Sequence, residues 1–256
     1  MDNVSTMRHL RIVLVRTRFP ENIGMAARAA ANMGIGDLVL VSPERWGREI
    51  ATPLATGKGL EVLENIRIVP TLSDALAGCC RAFGATARTG GWRQQIMTPS
   101  AAATAIMETL AKNDSACSLA LVFGPEDRGL ENTEIERCTD LVTIPTAPGA
   151  SSLNLAQSVL ILAYECFIRS LDQACHPAHS LRKGKHSRAA TVEEQELFFA
   201  TLQRILEVIE FLPRDNPEWF MQPLRRFFHR ARIKRHEFDI FMGICRKLTR
   251  NIGKAE

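Results

Sequence analysis

Two patterns of hydrophobic and polar positions alternate along the first two thirds of the chain. Short apolar runs, which are typical of buried strands, occupy residues 10–15, 37–41, 66–69, 82–87, 119–123 and 141–144. Segments with helical spacing or alanine-rich composition lie between and after them, at residues 23–33, 46–63 in part, 73–76, 101–110, 130–138 and 153–168. Strands that alternate with helices predict an α/β fold, in which a mostly parallel sheet carries helices on both faces.

The pattern changes after residue 171. Residues 172–190 show no hydrophobic periodicity and are rich in His, Arg and Lys, which predicts a basic linker. Beyond it the spacing is helical only, with Phe198, Leu202 and Ile205 on one face, a helix beginning near Pro217 and a last one over 236–248. We therefore divide the chain into a domain of residues 1–171, a linker of residues 172–190 and a small helical extension of residues 191–256.

Composition restricts the function classes only mildly. The chain has 256 residues, of which 46% are hydrophobic, and a formal net charge of +4, which permits nucleic-acid binding without requiring it. No apolar run is long enough for a membrane span, and from the charged residues among positions 1–10 we expect no signal peptide there. The seven cysteines contain no CxxC pair, so we expect buried thiols rather than a zinc or disulfide framework, no bound metal, and a cytoplasmic protein.

Three polar segments follow predicted strands. In the first, Asn22 could cap a helix and face a ligand, Gly24 admits close approach of backbone or phosphate, and Arg28 lies about one and a half turns further on. The second is the turn 124–129, in which Gly124 ends a strand and Glu126 follows. Each segment alone is more typical of a capped helix or of a plain βα turn with solvated charges than of a ligand site.

The third segment, residues 144–156, begins at Ile144 and passes through a Pro/Gly loop. A helix then opens with Ser151 or Ser152 as a possible cap and with Asn154 in its first turn. Because the carboxyl ends of parallel strands share one edge of a sheet, we expect the three segments to converge there. The dinucleotide and Walker glycine patterns are missing, which disfavours a kinase or an ordinary dehydrogenase.

The three segments resemble, in order and spacing, the motifs of the SPOUT superfamily of RNA methyltransferases. They read Asn22-x-Gly24-x-x-x-Arg28, then 123–130 as Phe-Gly-x-Glu-x-x-Gly-Leu, then Ile-Pro through Ser-Leu-Asn over 144–154. The likeness is to the TrmH/TrmJ branch of ribose 2′-O-methyltransferases, and most closely to its TrmJ type, which acts on tRNA nucleotide 32. It covers nearly the whole chain, including the tail 224–232, and is weakest in the linker.

The resemblance implies a deep trefoil knot in the C-terminal part of the α/β domain, a homodimer with its site at the dimer interface, and S-adenosylmethionine as methyl donor. Backbone groups would hold the donor, and the matching positions here are Thr86, Ala87, Gly124, Ile144 and Leu153. The implied catalytic or RNA-positioning residues are Arg28, Asn22, Glu126, Ser152 and Asn154. A guanidinium stays protonated, so we expect Arg28 to hold a phosphate or stabilise a forming alkoxide rather than act as a base.

The basic tail predicts contacts with RNA. Arginines there are interleaved with Phe227 and Phe228, and arginine suits phosphate whereas exposed aromatics stack on bases. We expect these phenylalanines to be mostly core and the arginines mostly RNA-facing; the expected RNA-binding set is Arg88, Arg225, Arg226, Arg230 and Arg232. The basic linker and the Asp127-Arg128 pair after Glu126 depart from the branch's pattern, which weakens the prediction of the target nucleotide.

Three alternatives stay open. The target could be another tRNA position or ribosomal RNA, and the chain could be a catalytically silent RNA-binding module. The intact Asn22, Arg28, Glu126, Ser152 and Asn154 argue against a silent module. A small-molecule α/β enzyme is disfavoured by the basic tail.

Overall fold

A seven-stranded parallel sheet forms the centre of the computed structural model, which describes residues 6–87, 96–112, 118–149, 152–175, 188–213, 215–231 and 233–252. The strands are β1 Leu10–Val15, β2 Asp37–Val41, β3 Arg67–Val69, β4 Cys79–Ala85, β5 Ile96–Met97, β6 Ser118–Phe123 and β7 Asp140–Val142. Their order across the sheet is β3-β2-β1-β6-β4-β7-β5, and every pairing is parallel.

Ten helices accompany the strands in the described residues. They are α1 Pro20–Asn32, α2 Arg48–Ala51, α3 Lys58–Glu64, α4 Leu72–Ala75, α5 Pro99–Lys112, α6 Asn132–Ile135, α7 Leu155–Cys175, α8 Val192–Val208, α9 Pro217–Ala231 and α10 Arg235–Ile252, with a 3₁₀ turn at Thr52–Leu54. No helix within these ranges is both long enough and apolar enough to cross a membrane.

Alternate residues along each strand supply two separate cores. Leu10, Ile12 and Leu14 of β1 face the layer that contains α1, α5 and α7, whereas Val13 and Val15 face the layer of α4 and α6. Both faces are buried, as the continuous apolar runs predicted. The α/β class with helices on both faces is therefore confirmed, and the knot stays a prediction.

A third core joins the last three helices. Phe198 and Phe199 of α8 pack with Phe228 of α9 and with Phe238 and Met242 of α10. The extension also touches the sheet domain, because Val192 at the start of α8 belongs to the core under α4 and α6, and Nε2 of Gln222 donates to Oε1 of Glu136 at 2.5 Å.

Several element bounds differ from the predictions. The strand β5 was missed, and α6 has four residues where residues 130–138 were expected to be helical. The helix α7 continues to Cys175, and Arg188 at the end of the predicted linker pairs with Glu194 at 2.6 Å. Most of the linker, residues 176–187, lies outside the described residues, so the domain bounds stay predictions.

The buried cysteines confirm only part of the expectation that they serve as small apolar side chains. Burial raises the pKa of Cys79 to about 11 and that of Cys166 to about 12, so both thiols stay protonated. Cys80, by contrast, is disulfide-bonded, which departs from the expectation of buried thiols.

Candidate active site

The three polar segments meet at the carboxyl edge of the sheet, as predicted. Asn22 lies in the first turn of α1, which follows β1, and Glu126 lies in the turn after β6, the neighbouring strand. Nδ2 of Asn22 donates to Oε1 of Glu126 at 2.7 Å. Nδ2 of Asn154, just before α7, donates to Oδ1 of Asn22 at 2.9 Å. Side chains 132 and 104 positions apart in sequence thus form one hydrogen-bonded chain.

Both ends of this chain are fastened to main-chain groups. The second carboxylate oxygen of Glu126, Oε2, accepts from the backbone N–H of Arg18 at 3.1 Å. Oδ1 of Asn154 accepts from the backbone N–H of Ala156 at 2.9 Å, at the start of α7. The carboxylate of Glu126 accepts and the backbone N–H of Ala156 donates, so the orientation of both asparagine amides is fixed. We call the Asn154–Asn22–Glu126 chain the amide relay.

The local sequence explains how the relay is held, and it corrects two predictions. Asn22 does not cap α1: the cap position is Phe19, no side chain bonds there, and Pro20 occupies the first turn. Asn22 is instead inside the first turn and only 6% exposed, with its amide directed at Glu126. Asn154 provides the cap expected of Ser151 or Ser152; Ser151 lies outside the described residues, and Ser152 is exposed.

The glycines of the motifs serve internal packing. A Cβ atom at position 124 would lie 2.2 Å from the carbonyl carbon of Gly129 and 2.3 Å from the amide nitrogen of Leu130. A Cβ atom at position 24 would lie 2.2 Å from the carbonyl oxygen of Ala51. Close approach is present at both positions, and in the described residues the approaching group is this chain's own backbone.

Arg28 is not part of the relay. It is exposed on α1, on the stripe that also carries Glu21 and Met25, and it makes no hydrogen bond or ion pair with the residues that the structure describes. Its backbone is packed tightly, because a Cβ atom at Gly59 would come within 2.9 Å of the Cα of Arg28. The helix therefore places the Arg28 side chain in solvent, away from Asn22 of the same chain.

The predicted donor-binding residues cluster along the same edge as the relay. Thr86 follows β4 and its N–H donates to the carbonyl of Val142 at 2.9 Å; the other positions are Ala87, Gly124, Ile144 and Leu153. All five are half-buried or exposed, and none carries a charge. A partly apolar lining with accessible main chain, beside neutral amides, fits a nucleoside such as the adenosine of S-adenosylmethionine.

Charged residues that the sequence analysis did not select surround the relay. Arg18 and Arg128 form ion pairs with Glu44 and Asp127, and Arg16 pairs with Glu131 at 3.1 Å and with Glu134. No local pattern indicated them, because their partners lie on loops after β1, β2 and β6. In the parts of the chain that the structure describes, no three His, Cys, Asp or Glu side chains are placed to hold a metal ion.

The predicted RNA-binding arginines separate into two groups. Arg225 faces inward: it pairs with Glu196 at 2.5 Å, and its guanidinium lies 4.6 Å from the ring centre of Phe199. Arg226 is half-buried and Arg230 is exposed. Arg88 and Arg232 lie outside the described residues.

Comparison with known proteins agrees with this fold. The model of the SpoU rRNA methylase family matches residues 9–164. The chain belongs to this family. Residues 193–256 match a second model, the C-terminal domain of the tRNA methyltransferase TrmJ. The predicted family is thereby confirmed for both matched segments, residues 9–164 and 193–256.

Individual relatives cover almost the whole chain. A Pseudomonas aeruginosa protein named tRNA (cytidine/uridine/adenosine-2′-O-)-methyltransferase TrmJ is 39% identical over 92% of this chain and 91% of its own. A Yersinia enterocolitica tRNA (cytidine/uridine-2′-O-)-methyltransferase TrmJ is 34% identical over 95% and 93%. The crystal structure of TrmJ from Zymomonas mobilis ZM4 superposes with a TM-score of 0.77 at 31% identity, over 93% of this chain and 98% of that one.

Proposed function

We propose that this protein is an S-adenosylmethionine-dependent tRNA methyltransferase that methylates the ribose 2′-oxygen of nucleotide 32, C or U, in the anticodon loop. The observation that carries the proposal is the amide relay, which fixes the orientation of two amide donors at the carboxyl edge of the sheet in a SpoU-family domain. The relatives named above match nearly the whole chain, and their names support tRNA as the substrate. We further propose a cytoplasmic homodimer.

The donor would be held by main-chain groups at Thr86, Ala87, Gly124, Ile144 and Leu153. When bound, it supplies an electrophilic methyl group on a sulfonium. The ribose oxygen forms the new C–O bond as the S–C bond breaks, and the hydroxyl proton leaves to solvent or to a neighbouring group. Because the methyl group is already activated, holding the oxygen in line with it accounts for much of the rate.

The relay would position the ribose. Each amide nitrogen uses one N–H within the relay, so Asn22 and Asn154 each retain a second N–H whose direction is fixed. Fixed donors stabilise a developing alkoxide without reorganisation. Glu126 accepts from two donors at once, and its role is to orient Asn22 rather than to move a proton. Ser152 is exposed beside Asn154 and can contact the nucleotide.

Arg28 would act in the site of a second copy. Its exposed side chain has no partner in the described part of its own chain. Met25 is exposed on the same helix, and Leu160, Tyr164 and Leu171 are exposed on α7, which packs against α1. Such a surface suits a second copy. There the guanidinium would bind the phosphate beside the target ribose or stabilise the forming alkoxide, because it remains protonated.

The role of Arg28 is tested by Arg28→Lys, with methyl transfer measured against pH. If Arg28 binds charge, lysine retains part of the activity and the pH profile keeps its shape. If Arg28→Lys is active and the acidic limb of its pH–rate profile lies at lower pH than that of the wild type, Arg28 is instead the general base. Light scattering on the same samples tests the dimer.

The solvent face of α9 would bind the tRNA. Trp219, Pro223, Arg226 and Arg230 share one stripe at helical spacing, and Phe227 lies beside it with 55% of its area exposed. Exposed aromatics among arginines suit unpaired bases and their phosphates. Arg225, held by Glu196 and Phe199, would contribute to this surface only by supporting α9.

The proposal is tested by incubating the full chain with bulk tRNA and labelled donor, then mapping the product by mass spectrometry. We expect label on the ribose of nucleotide 32. Label at another tRNA position or on ribosomal RNA would correct the target. Donor binding in calorimetry without any transfer would indicate a silent RNA-binding module.

A further inference from the structure

A closed ring of four ion pairs lies on the rim of the relay. Arg18 Nε is 3.2 Å from Glu44 Oε2, and Arg18 Nη1 is 2.9 Å from Asp127 Oδ2. Arg128 Nη2 is 2.8 Å from Glu44 Oε1, and Arg128 Nε is 3.5 Å from Asp127 Oδ1. Each arginine therefore contacts both acids. We call Arg18, Glu44, Arg128 and Asp127 the rim ring.

The ring joins three loops at the carboxyl edge of the sheet. Arg18 follows β1, Glu44 follows β2, and Asp127 and Arg128 belong to the turn after β6. The ring is in direct contact with the relay, because the backbone N–H of Arg18 donates to Glu126 and Asp127 is the next residue. A nucleotide held by the relay would therefore have its flanking phosphates near this rim.

The ring is accessible and weakly held. The four side chains are 37–51% exposed, and ion pairs at such exposure contribute only about 0–1 kcal/mol each because water and salt screen them. A phosphate can also accept two parallel, charge-assisted hydrogen bonds from a guanidinium, as a carboxylate does. Because each ion pair of the ring contributes little, exchange of carboxylate for phosphate on Arg18 and Arg128 costs little.

We infer that the rim ring is a phosphate gate for the RNA substrate. In the free protein Glu44 and Asp127 neutralise the two guanidiniums, and the backbone phosphate next to the target ribose displaces these carboxylates when the nucleotide enters. The gate gives selectivity, since an RNA whose phosphate does not reach both arginines leaves the ring closed. The inference rests on the proposed RNA substrate but not on the identity of the methylated nucleotide.

The competing explanation is a brace that only holds the three loops together. The loops have other ties: the backbone N–H of Glu44 donates to the carbonyl of Thr17 at 3.0 Å, and that of Arg16 to the carbonyl of Val41 at 2.8 Å. A brace and a gate make opposite predictions for the acids. Removing a carboxylate weakens a brace and so weakens RNA binding, whereas it opens a gate and strengthens RNA binding.

The test measures binding of fluorescent tRNA to the full chain as a function of salt, for Arg18→Gln, Arg128→Gln, Glu44→Gln and Asp127→Asn. For the arginine variants we expect about eightfold weaker binding near 0.1 M salt and a salt slope smaller by about one, the effect of one lost phosphate contact. For the acid variants we expect several-fold tighter binding of tRNA and of a non-substrate RNA. Weaker binding by all four variants would overturn the gate and assign a brace.

Two matched controls separate the gate from general charge effects. Arg67→Gln removes an exposed, ion-paired arginine near the amino ends of β2 and β3, at the opposite edge of the sheet, and should leave the slope unchanged. Glu64→Gln removes an exposed carboxylate far from the rim. If Glu64→Gln and Glu44→Gln strengthen tRNA binding equally, the gate is wrong. A wild type that binds tRNA yet methylates elsewhere would correct the proposed target and leave this inference intact.

Discussion

Nδ2 of Asn22 donates to Oε1 of Glu126 at 2.7 Å, and this contact fixes which way round the amide of Asn22 lies. Both oxygens of Glu126 accept hydrogen bonds, so the nitrogen of Asn22 faces Glu126 and its oxygen faces Asn154. The direction of the remaining N–H groups is thus decided by Glu126 at one end and by the backbone N–H of Ala156 at the other.

Replacing Glu126 with glutamine should therefore impair turnover. A glutamine has one acceptor oxygen where the carboxylate has two, so it cannot accept from both the Arg18 N–H and the Asn22 amide, and one end of the relay is released. We expect kcat to fall on the order of 10²-fold, as for other small misplacements of positioning groups, with little change in donor affinity. Steady-state methyl transfer and calorimetry measure the two quantities. Glu21→Gln, which alters an exposed carboxylate in the same turn of α1, is the control; equal activity of both variants would contradict the relay's role.

Alanine at position 124 should destabilise the fold rather than block a ligand. Its Cβ atom would lie 2.2 Å from backbone atoms of Gly129, a contact that cannot be relieved by rotating a side chain. We expect the free energy of unfolding to drop by about 1–3 kcal/mol, as overpacking does elsewhere, in chemical denaturation. Gly36→Ala is the matched control, because nothing lies within 4 Å of its added Cβ atom. Similar stability of the two variants would show that the turn can relax.

His229 should make the stability of the chain depend on pH. Burial, together with the nearby Arg225, lowers the pKa of His229 to about 4 from its ordinary value of 6.5. Between these values the unfolded chain binds the proton and the folded chain does not, so the free energy of unfolding rises with pH across this window. The contribution, on the order of 3 kcal/mol, is complete above pH 6.5 and is lost as the pH falls towards 4.

His229→Phe removes this titrating group, and its ring can keep the edge contact with Phe199, whose ring centre is 5.7 Å away. We expect the variant to show a flatter pH dependence in urea denaturation between pH 4 and 6.5. Identical pH profiles for the variant and the wild type would place the pH sensitivity elsewhere.

Two adjacent phenylalanines should respond in opposite ways to truncation. Phe228 is 9% exposed and contacts Phe198, Phe199 and Phe241, so Phe228→Ala should cost about 3–5 kcal/mol of stability. Phe227 is 55% exposed, so Phe227→Ala should leave stability nearly unchanged and weaken tRNA binding by about 1–3 kcal/mol, the value of one stacked base. Thermal melting and tRNA titration of both variants test the pair. Normal tRNA affinity of Phe227→Ala would contradict the stacking role.

The sequence predicted the strands well because the buried strands are continuous apolar runs. It could not predict the cap of α1, where the fixed backbone of Pro20 replaces a side-chain bond, nor β5, which has only two residues. It placed Asn22, Glu126 and Asn154 at one edge, since parallel strands require this. The order of donors and acceptors among them depends on contacts across 104 and 132 positions, which no local pattern encodes.

The local sequence pattern also could not predict that Phe228 is buried and Phe227 is exposed. Both lie in the same basic helix, and only the packing of α8 and α10 decides which one is covered. The rim ring was missed for a related reason: Arg18 and Glu44 are ordinary loop residues until the loops after β1 and β2 are brought together.

The backbone contact between Gly59 and Arg28 has a practical consequence for engineering. A library designed to redirect the enzyme to a new target should hold positions 24 and 59 constant, because any side chain there would push α1 outward and move Arg28 with it. Diversity is better placed at solvent-exposed positions 44 and 127, where substitutions can accumulate without forcing a helix to shift.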